Sequence, residues 1–288
     1  MIGVKENKME KILQQKKSLL KKIYDSFFKL INKKDIDSIN IGGGPNFKAN
    51  GWLNLEEVKS SDNPYPFKLT KDCVFPVADS SMKVAYTSHC LEHLENKIIY
   101  QVFSEVNRVL KEDGSFIIKL PDFDKILESW KKRDNTLLGD NLWSFETITH
   151  TWENRGIKDC LDYRAAMIFC SFWTKEYGDP YTEEIFKNKL AYHGPPITSI
   201  DFLNKLIEKC TPSQISAELC KVVIKNEKNY NFNHRNAWSR EELRALLNLF
   251  GFYVESFDKD FITHKYKNIP GIKKLEKQSM YCLAKKKI

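Results

Sequence analysis

The sequence predicts an α/β fold: a doubly wound, mostly parallel sheet, with a helical insertion and a basic amphipathic helix ahead of it. Three observations predict this. Short apolar runs alternate with amphipathic segments between Asp37 and Asp122. From about Phe123 the strand pattern stops, and a long aromatic-rich stretch of helical flavour runs to about residue 233. The open-sheet pattern then resumes from His234 to the end.

Taken in order, residues 1–35 read as one helix. Ile12, Leu13, Leu19, Leu20, Ile23, Phe27, Leu30 and Ile31 recur at helical spacing, and lysines fill the opposite face. "SINIG", "WLNLE" and "KVAYTSH" are short apolar runs ended by turn or polar residues, as strands are. "IIYQVFSEVNRVL" places Ile99, Val102, Phe103, Val106, Val109 and Leu110 on one helical side, and Gly114 is expected to end that helix. "SFIIKLPD" reads as a buried strand. Residues 123–233 are too long for a structureless loop and read as a helical insertion. In "SREELRALLNLFGF", Ser239 and Glu242 form a capping box and Gly251 ends the helix. "YVESFDK" and "SMYCLAKKK" read as final strands, open to antiparallel pairing.

The chain of 288 residues carries a net charge of +8, with most of the excess in one place. Residues 1–34 hold ten lysines and three acids, so the remainder is close to neutral. That distribution argues against a nucleic-acid groove across the whole body. The seven cysteines form no CxxC pair, and there is no run of apolar residues of membrane-spanning length and no apolar leader segment. Free thiols and a cytoplasmic location are expected. The lysine-rich helix leaves peripheral membrane contact open, and nothing in the sequence indicates an oligomeric state.

Chemistry is expected first at "INIGGGP". Gly42, Gly43 and Gly44 follow the first strand and permit a tight turn against which a ligand can lie. No GxGxxG opens a helix there and no GK[ST] follows, which argues against dinucleotide and phosphate-loop sites. Glu56 ends the second strand, where a carboxylate can accept hydrogen bonds from both ribose hydroxyls of an adenosyl group. Glu57 beside it is expected to point the other way.

Four stretches, "INIGGGPNFKANGWLNLE", "FPVADSSMKVAYTSHCLEHL", "EVNRVLKEDGSFIIKLPD" and "HRNAWSREELRALLNLFGF", occur in that order. Together they resemble the class I S-adenosylmethionine-dependent methyltransferases, in the methyltransferase-11-like group. The resemblance implies a Rossmann-like core over 36–122 and 234–288, with 123–233 as a substrate cap outside it. It implies S-adenosylmethionine as methyl donor and S-adenosylhomocysteine as product. Gly42, Gly43 and Gly44 would pass beneath the methionine part, with Asn40 bonding the loop and Glu56 holding the ribose. Asp72 would lie near the adenine, and Ser88 and His89 at the methionine end, with Glu92 and His93 following.

Methyl transfer needs a nucleophile held in line with the S–CH3 bond at roughly 3 Å, with water excluded. An alcohol acceptor also needs a base. His89 and His93 are candidates by position, and His150 and His193 by their neighbours in "THTWENRG" and "AYHGPP". Asp122 is a further candidate, with helix capping as its alternative. Trp152, Tyr192, His193 and His234 are expected to meet the substrate. Trp143, Tyr163, Trp173, Tyr177 and Tyr181 are further aromatics of the insertion that are open to pocket lining, with core packing favoured for most. No metal site is expected. The leading expectation is methylation of an oxygen or nitrogen of a small polar metabolite, sugar or nucleotide-sugar, with nucleic acid not expected as partner. An RNA methyltransferase anchored by the N-terminal helix and a non-catalytic S-adenosylmethionine binder are the alternatives.

Overall fold

The computed structural model describes residues 36–64, 66–138, 161–170, 199–226 and 234–287. The expected N-terminal helix, and His150, Trp152, Tyr192 and His193, lie outside the described residues. Strands β1 (Ser38–Ile41), β2 (Trp52–Leu55), β3 (Met82–Ser88), β4 (Leu110–Pro121), β5 (Phe252–Ser256) and β6 (Ser279–Lys286) form one sheet in the order β2-β1-β3-β4-β6-β5. The first four are parallel. β6 runs antiparallel between β4 and β5, so the last two strands are the antiparallel pair left open by the sequence. The described helices are α1 (Asn96–Val109), α2 (Phe123–Lys131), α3 (Leu161–Cys170), α4 (Ile200–Lys209), α5 (Pro212–Asn226), α6 (Arg240–Leu249) and α7 (Lys259–Lys265). Among the described residues, no helix is long and apolar enough to cross a membrane.

The period of two along each strand sorts the core into layers. Ile39, Ile41, Ala85, Phe116, Ile118 and Cys282 face one side, where α1 supplies Val102, Phe103 and Val106, and α6 supplies Leu243 and Leu247. Tyr86, Ile117, Tyr281 and Leu283 face the other, against Ile262 of α7 and the following Ile269 and Ile272. A separate apolar cluster joins α2, α3, α4 and α5 through Trp130, Phe169, Leu203, Ile215 and Leu219. Tyr163 is buried in that cluster, so its ring packs in the helical core.

Local signals explain several element ends. Ser239 Oγ accepts from Glu242 N at 3.1 Å and Glu242 Oε2 accepts from Ser239 N at 2.8 Å, which is the capping box expected from sequence. Glu242 also accepts from the hydroxyls of Thr211 and Ser213, tying the start of α5 to that of α6. One expectation is corrected. α1 ends at Val109 rather than Gly114, because Leu110 turns extended (φ −70°, ψ 139°) and its buried side chain joins the sheet opposite Met82. Gly114 then sits inside β4, beside the register shift between Met82 and Val84.

Candidate functional site

The chain leaves β1 for β2 on one side and then crosses to β3 on the other side of β1. In open parallel sheets the crevice at such a switch point, outside the carboxyl ends of the strands, receives ligands. Here that crevice holds the glycine loop. Gly42 has φ +64°, and a Cβ on it would lie 2.2 Å from Cys90 Sγ, so only glycine fits between β1 and the β3 exit. A Cβ on Gly43 would lie 1.6 Å from Asn40 Nδ2.

Two buried amides hold the loop from below. Asn40 Nδ2 donates to Asn54 Oδ1 at 3.2 Å, and Asn54 Nδ2 donates to the Gly44 carbonyl at 2.9 Å. Glu56 holds it from above, its Oε2 accepting from Gly44 N at 3.0 Å and its Oε1 from Val58 N at 2.9 Å. Each carboxylate oxygen thus keeps acceptor capacity for a further donor.

A cavity of about 290 Å³ opens beside this carboxylate. Gly42, Glu56, His89, Cys90 and His93 line it, with Phe67, Leu69 and Leu94 as apolar wall. Burial, with Glu92 and Glu56 adding to it, pushes the Cys90 thiol up to about 12, so it stays protonated and inert near neutral pH. A second cavity of about 190 Å³ lies on the opposite side of the sheet ends, lined by Asn40, Tyr86, Ser88, His89 and Lys119. The alternation of β3 explains the division: Thr87 points into the α1 layer, where it donates to the Ile41 carbonyl, and Tyr86 and Ser88 point away.

His89 stands between the two cavities in a left-handed conformation, φ +49°. Non-glycine residues held there are sparse and cluster at functional sites. Its Nε2 lies 2.9 Å from Ser279 Oγ and its Nδ1 lies 3.3 Å from Glu92 Oε1. Ser279 Oγ itself donates to the Leu275 carbonyl at 2.6 Å, so it must accept from His89 Nε2–H. The 3.3 Å approach to Glu92 is an ion contact without hydrogen-bond alignment, and neither Glu92 oxygen has a hydrogen-bond partner among the described residues. Burial alone would push the Glu92 carboxyl up, but His89, His93 and His234 around it outweigh that and hold it below the ordinary carboxylate range.

His93 and His234 meet edge to face at 4.7 Å between ring centres. The segment carrying His234 is stapled to the turn carrying His93: Arg235 N and Asn236 N both donate to the Glu92 carbonyl, and Asn236 Nδ2 donates to the Leu94 carbonyl. His234 Nδ1 donates to the Ile168 carbonyl at 2.5 Å, which brings α3 to the same place. Burial and the nearby His93 push His234 down to about 4.

The expected site residues therefore divide. Gly42, Glu56, His89 and His93 share the first cavity, Gly44 is bonded to Glu56, and His234 packs on His93. Asn40, Gly43 and Ser88 lie at the second cavity, Asn40 and Gly43 beneath the loop. Asp72 is not brought to either cavity: it lies on an exposed turn beside Lys71. Asp122 is buried and committed, its Oδ1 accepting from Lys125 N as the cap of α2 and its Oδ2 paired with Arg240 at 2.8 Å. Its capping alternative accounts for it. Sequence reasoning passed over Asn54, Phe67, Leu69 and Ser279. The alternation in "PFKLT" was the available signal for Phe67 and Leu69; Asn54 and Ser279 had none.

With this geometry in view, residues 53–118 match the model of a family described as a methyltransferase domain. No curated protein matches the chain in sequence. Among solved structures, an S-adenosylmethionine-dependent methyltransferase from Mesorhizobium loti aligns at 11% identity over 88% of this chain and 92% of that one, with TM-score 0.38. A chain of the complex between the Haloferax volcanii Trm112 methyltransferase activator and the putative methyltransferase aligns at 8% identity over 95% and 94%, with TM-score 0.34. PKMT2 from Rickettsia typhi aligns at 10% identity over 92% of this chain and 52% of its own length, with TM-score 0.32, so the chain spans about half of that protein. Such loose likenesses carry no weight beside the domain match. That match, which includes Glu56 and the β3 exit, marks a methyltransferase domain within the chain, and the sheet around it has a Rossmann-like order.

Proposed function

We propose that the chain moves the methyl group of S-adenosylmethionine to an oxygen or nitrogen of a small polar metabolite, in the class of sugars and nucleotide-sugars. The observation that carries this reading is that Glu56 and His93 border one cavity, so a ribose anchor and a proton-accepting ring share one ligand space. In this reading Gly42 and Gly44 carry the methionine part, Glu56 the ribose hydroxyls, and Phe67, Leu69 and Leu94 the flat base. His89 serves in position rather than as base, because Nε2–H is bound to Ser279 and Nδ1 faces Glu92. An alcohol acceptor then loses its proton to His93, or to a species that His93 helps to hold. Residues 36–122 and 234–288 form the donor-binding core, and residues 123–233 cap the acceptor. The α2 to α5 cluster, joined to the cavity edge through His234, supports that division. The nearly neutral body favours a small acceptor over RNA.

The test is release of S-adenosylhomocysteine from the full chain against a panel of sugars, nucleotide-sugars, small amines and RNA. Turnover on a sugar-class acceptor is expected, and it should survive removal of residues 1–34. Turnover on RNA alone, lost on that truncation, would overturn the reading.

A further inference from the structure

The acceptor end of the first cavity is closed by a cluster of electron-pair donors that methyl transfer alone does not explain. A carboxylate oxygen of Glu92 and one ring nitrogen each of His93 and His234 lie within 4.8 Å of one another. We propose that Glu92, His93 and His234 bind one divalent transition-metal ion of the zinc class, with a coordination position open toward the cofactor cavity.

Ser279 commits its single hydroxyl proton to the Leu275 carbonyl, so His89 spends its Nε2–H on Ser279 and only its Nδ1 edge faces Glu92. His234 commits Nδ1–H to the Ile168 carbonyl, which leaves its lone pair on Nε2. Glu92 is 0% exposed, and both its oxygens lack a hydrogen-bond partner among the described residues. A buried carboxylate without a hydrogen bond is costly unless a positive charge joins it. A proton on His89 supplies charge but reaches Glu92 only through the misaligned 3.3 Å contact. A metal ion held by Glu92, His93 and His234 would supply that charge in direct contact with the carboxylate.

The donor set also selects the ion. Two imidazoles and a carboxylate suit zinc, leaving a fourth tetrahedral position, and they do not suit magnesium or calcium, which take oxygen ligands. Bonds of about 2.0–2.2 Å set tetrahedral donors roughly 3.3–3.5 Å apart, so donors up to 4.8 Å apart must close by up to about 1.5 Å. The His93 and His234 side chains are only partly buried and have torsions with which to do so. The Ile168 carbonyl on the far nitrogen of His234 is the partner that orients metal-bound histidines. His93 belongs to the cavity wall, so the open position faces the acceptor, whose hydroxyl there would lose its proton more readily. That use rests on the proposed methyl transfer; the site itself does not.

The experiment loads the full chain, stripped with a chelator and dialysed, with zinc or cobalt(II), with no donor or acceptor present. One equivalent of zinc per chain is expected to survive gel filtration, and cobalt(II) should give the intense visible bands of a four-coordinate nitrogen and oxygen site. His93→Ala, His234→Ala and Glu92→Gln should each weaken retention at least tenfold. Should a variant fail to fold by circular dichroism, the cobalt spectrum of the unsubstituted chain decides. Failure of that chain to retain zinc, a thiolate charge-transfer band showing cysteine ligation, or unchanged retention in folded variants would each overturn the proposal. Zinc binding without turnover would leave the site standing and count against the methyl-transfer reading alone.

Discussion

Replacing Glu56 with alanine should weaken S-adenosylmethionine binding, and the structure sets the size of the loss. The carboxylate already accepts from Gly44 N and Val58 N, one bond to each oxygen, and it borders the 290 Å³ cavity. Two ribose hydroxyls donating to it would add charge-assisted bonds, part of whose loss is recovered by water in the variant. A net cost of about 1–3 kcal/mol follows. That corresponds to a rise in Kd of roughly 5- to 150-fold. Isothermal titration calorimetry with S-adenosylmethionine and with S-adenosylhomocysteine measures it, and the two ligands should lose affinity alike because they share the ribose. Asp72→Ala is the matched control: its side chain is 80% exposed and borders neither cavity, so its Kd should stay within about twofold of the unsubstituted chain. Unchanged affinity in a folded Glu56→Ala variant, or an equal loss in Asp72→Ala, would refute the placement of the ribose.

Three further outcomes are expected. Gly43→Ala drives a methyl group into Asn40 and Asn54, and should cost about 1–3 kcal/mol in urea unfolding together with weaker cofactor binding; an unperturbed variant would show that the amide pair does not hold the loop. Ser239→Ala removes one half of the capping box and should cost about 1 kcal/mol, read as a fall in Tm of a few degrees; no fall would place the start of α6 under packing control alone. Lys119 donates to the carbonyls of Gly271, Ile272 and Lys274, and its burial lowers it to about 8. Its unfolded value is about 10.5, so between these two values the unfolded chain binds more protons and stability rises with pH, by up to about 3 kcal/mol. Denaturation at several pH values should show that rise in the unsubstituted chain relative to Lys119→Met; parallel curves would contradict it.

The sequence made the glycine loop and its partner acid legible because local rules govern their placement. A turn at a strand end needs backbone freedom that Gly42 supplies at φ +64°, and an acid closing the next strand reaches that turn from the neighbouring position in the sheet. Capping by Ser239 and Glu242 is equally local. Asp72 misled because its placement depends on the path of a long connection, which no periodicity records. Ser88 was assigned by its strand end alone, and the alternation through Thr87 turns it to the other side. The contact of His93 with His234 spans about half of the chain and arises only when the turn at Leu91–His93 meets the segment before α6. HxxxH spacing pairs His89 with His93, but no spacing records His234 beside them or the burial of the Glu92 carboxylate.

The central claim is that the crevice between the Gly42–Gly44 loop and Glu56 holds the methyl donor. A crystal structure of the chain with S-adenosylhomocysteine tests it most directly. Both ribose hydroxyls are expected within hydrogen-bond distance of Glu56, the homocysteine part along Gly42 and Gly44, and the sulfur on the side of His93. A ligand seated in the cavity of Tyr86 and Lys119, or a ribose away from Glu56, would contradict it.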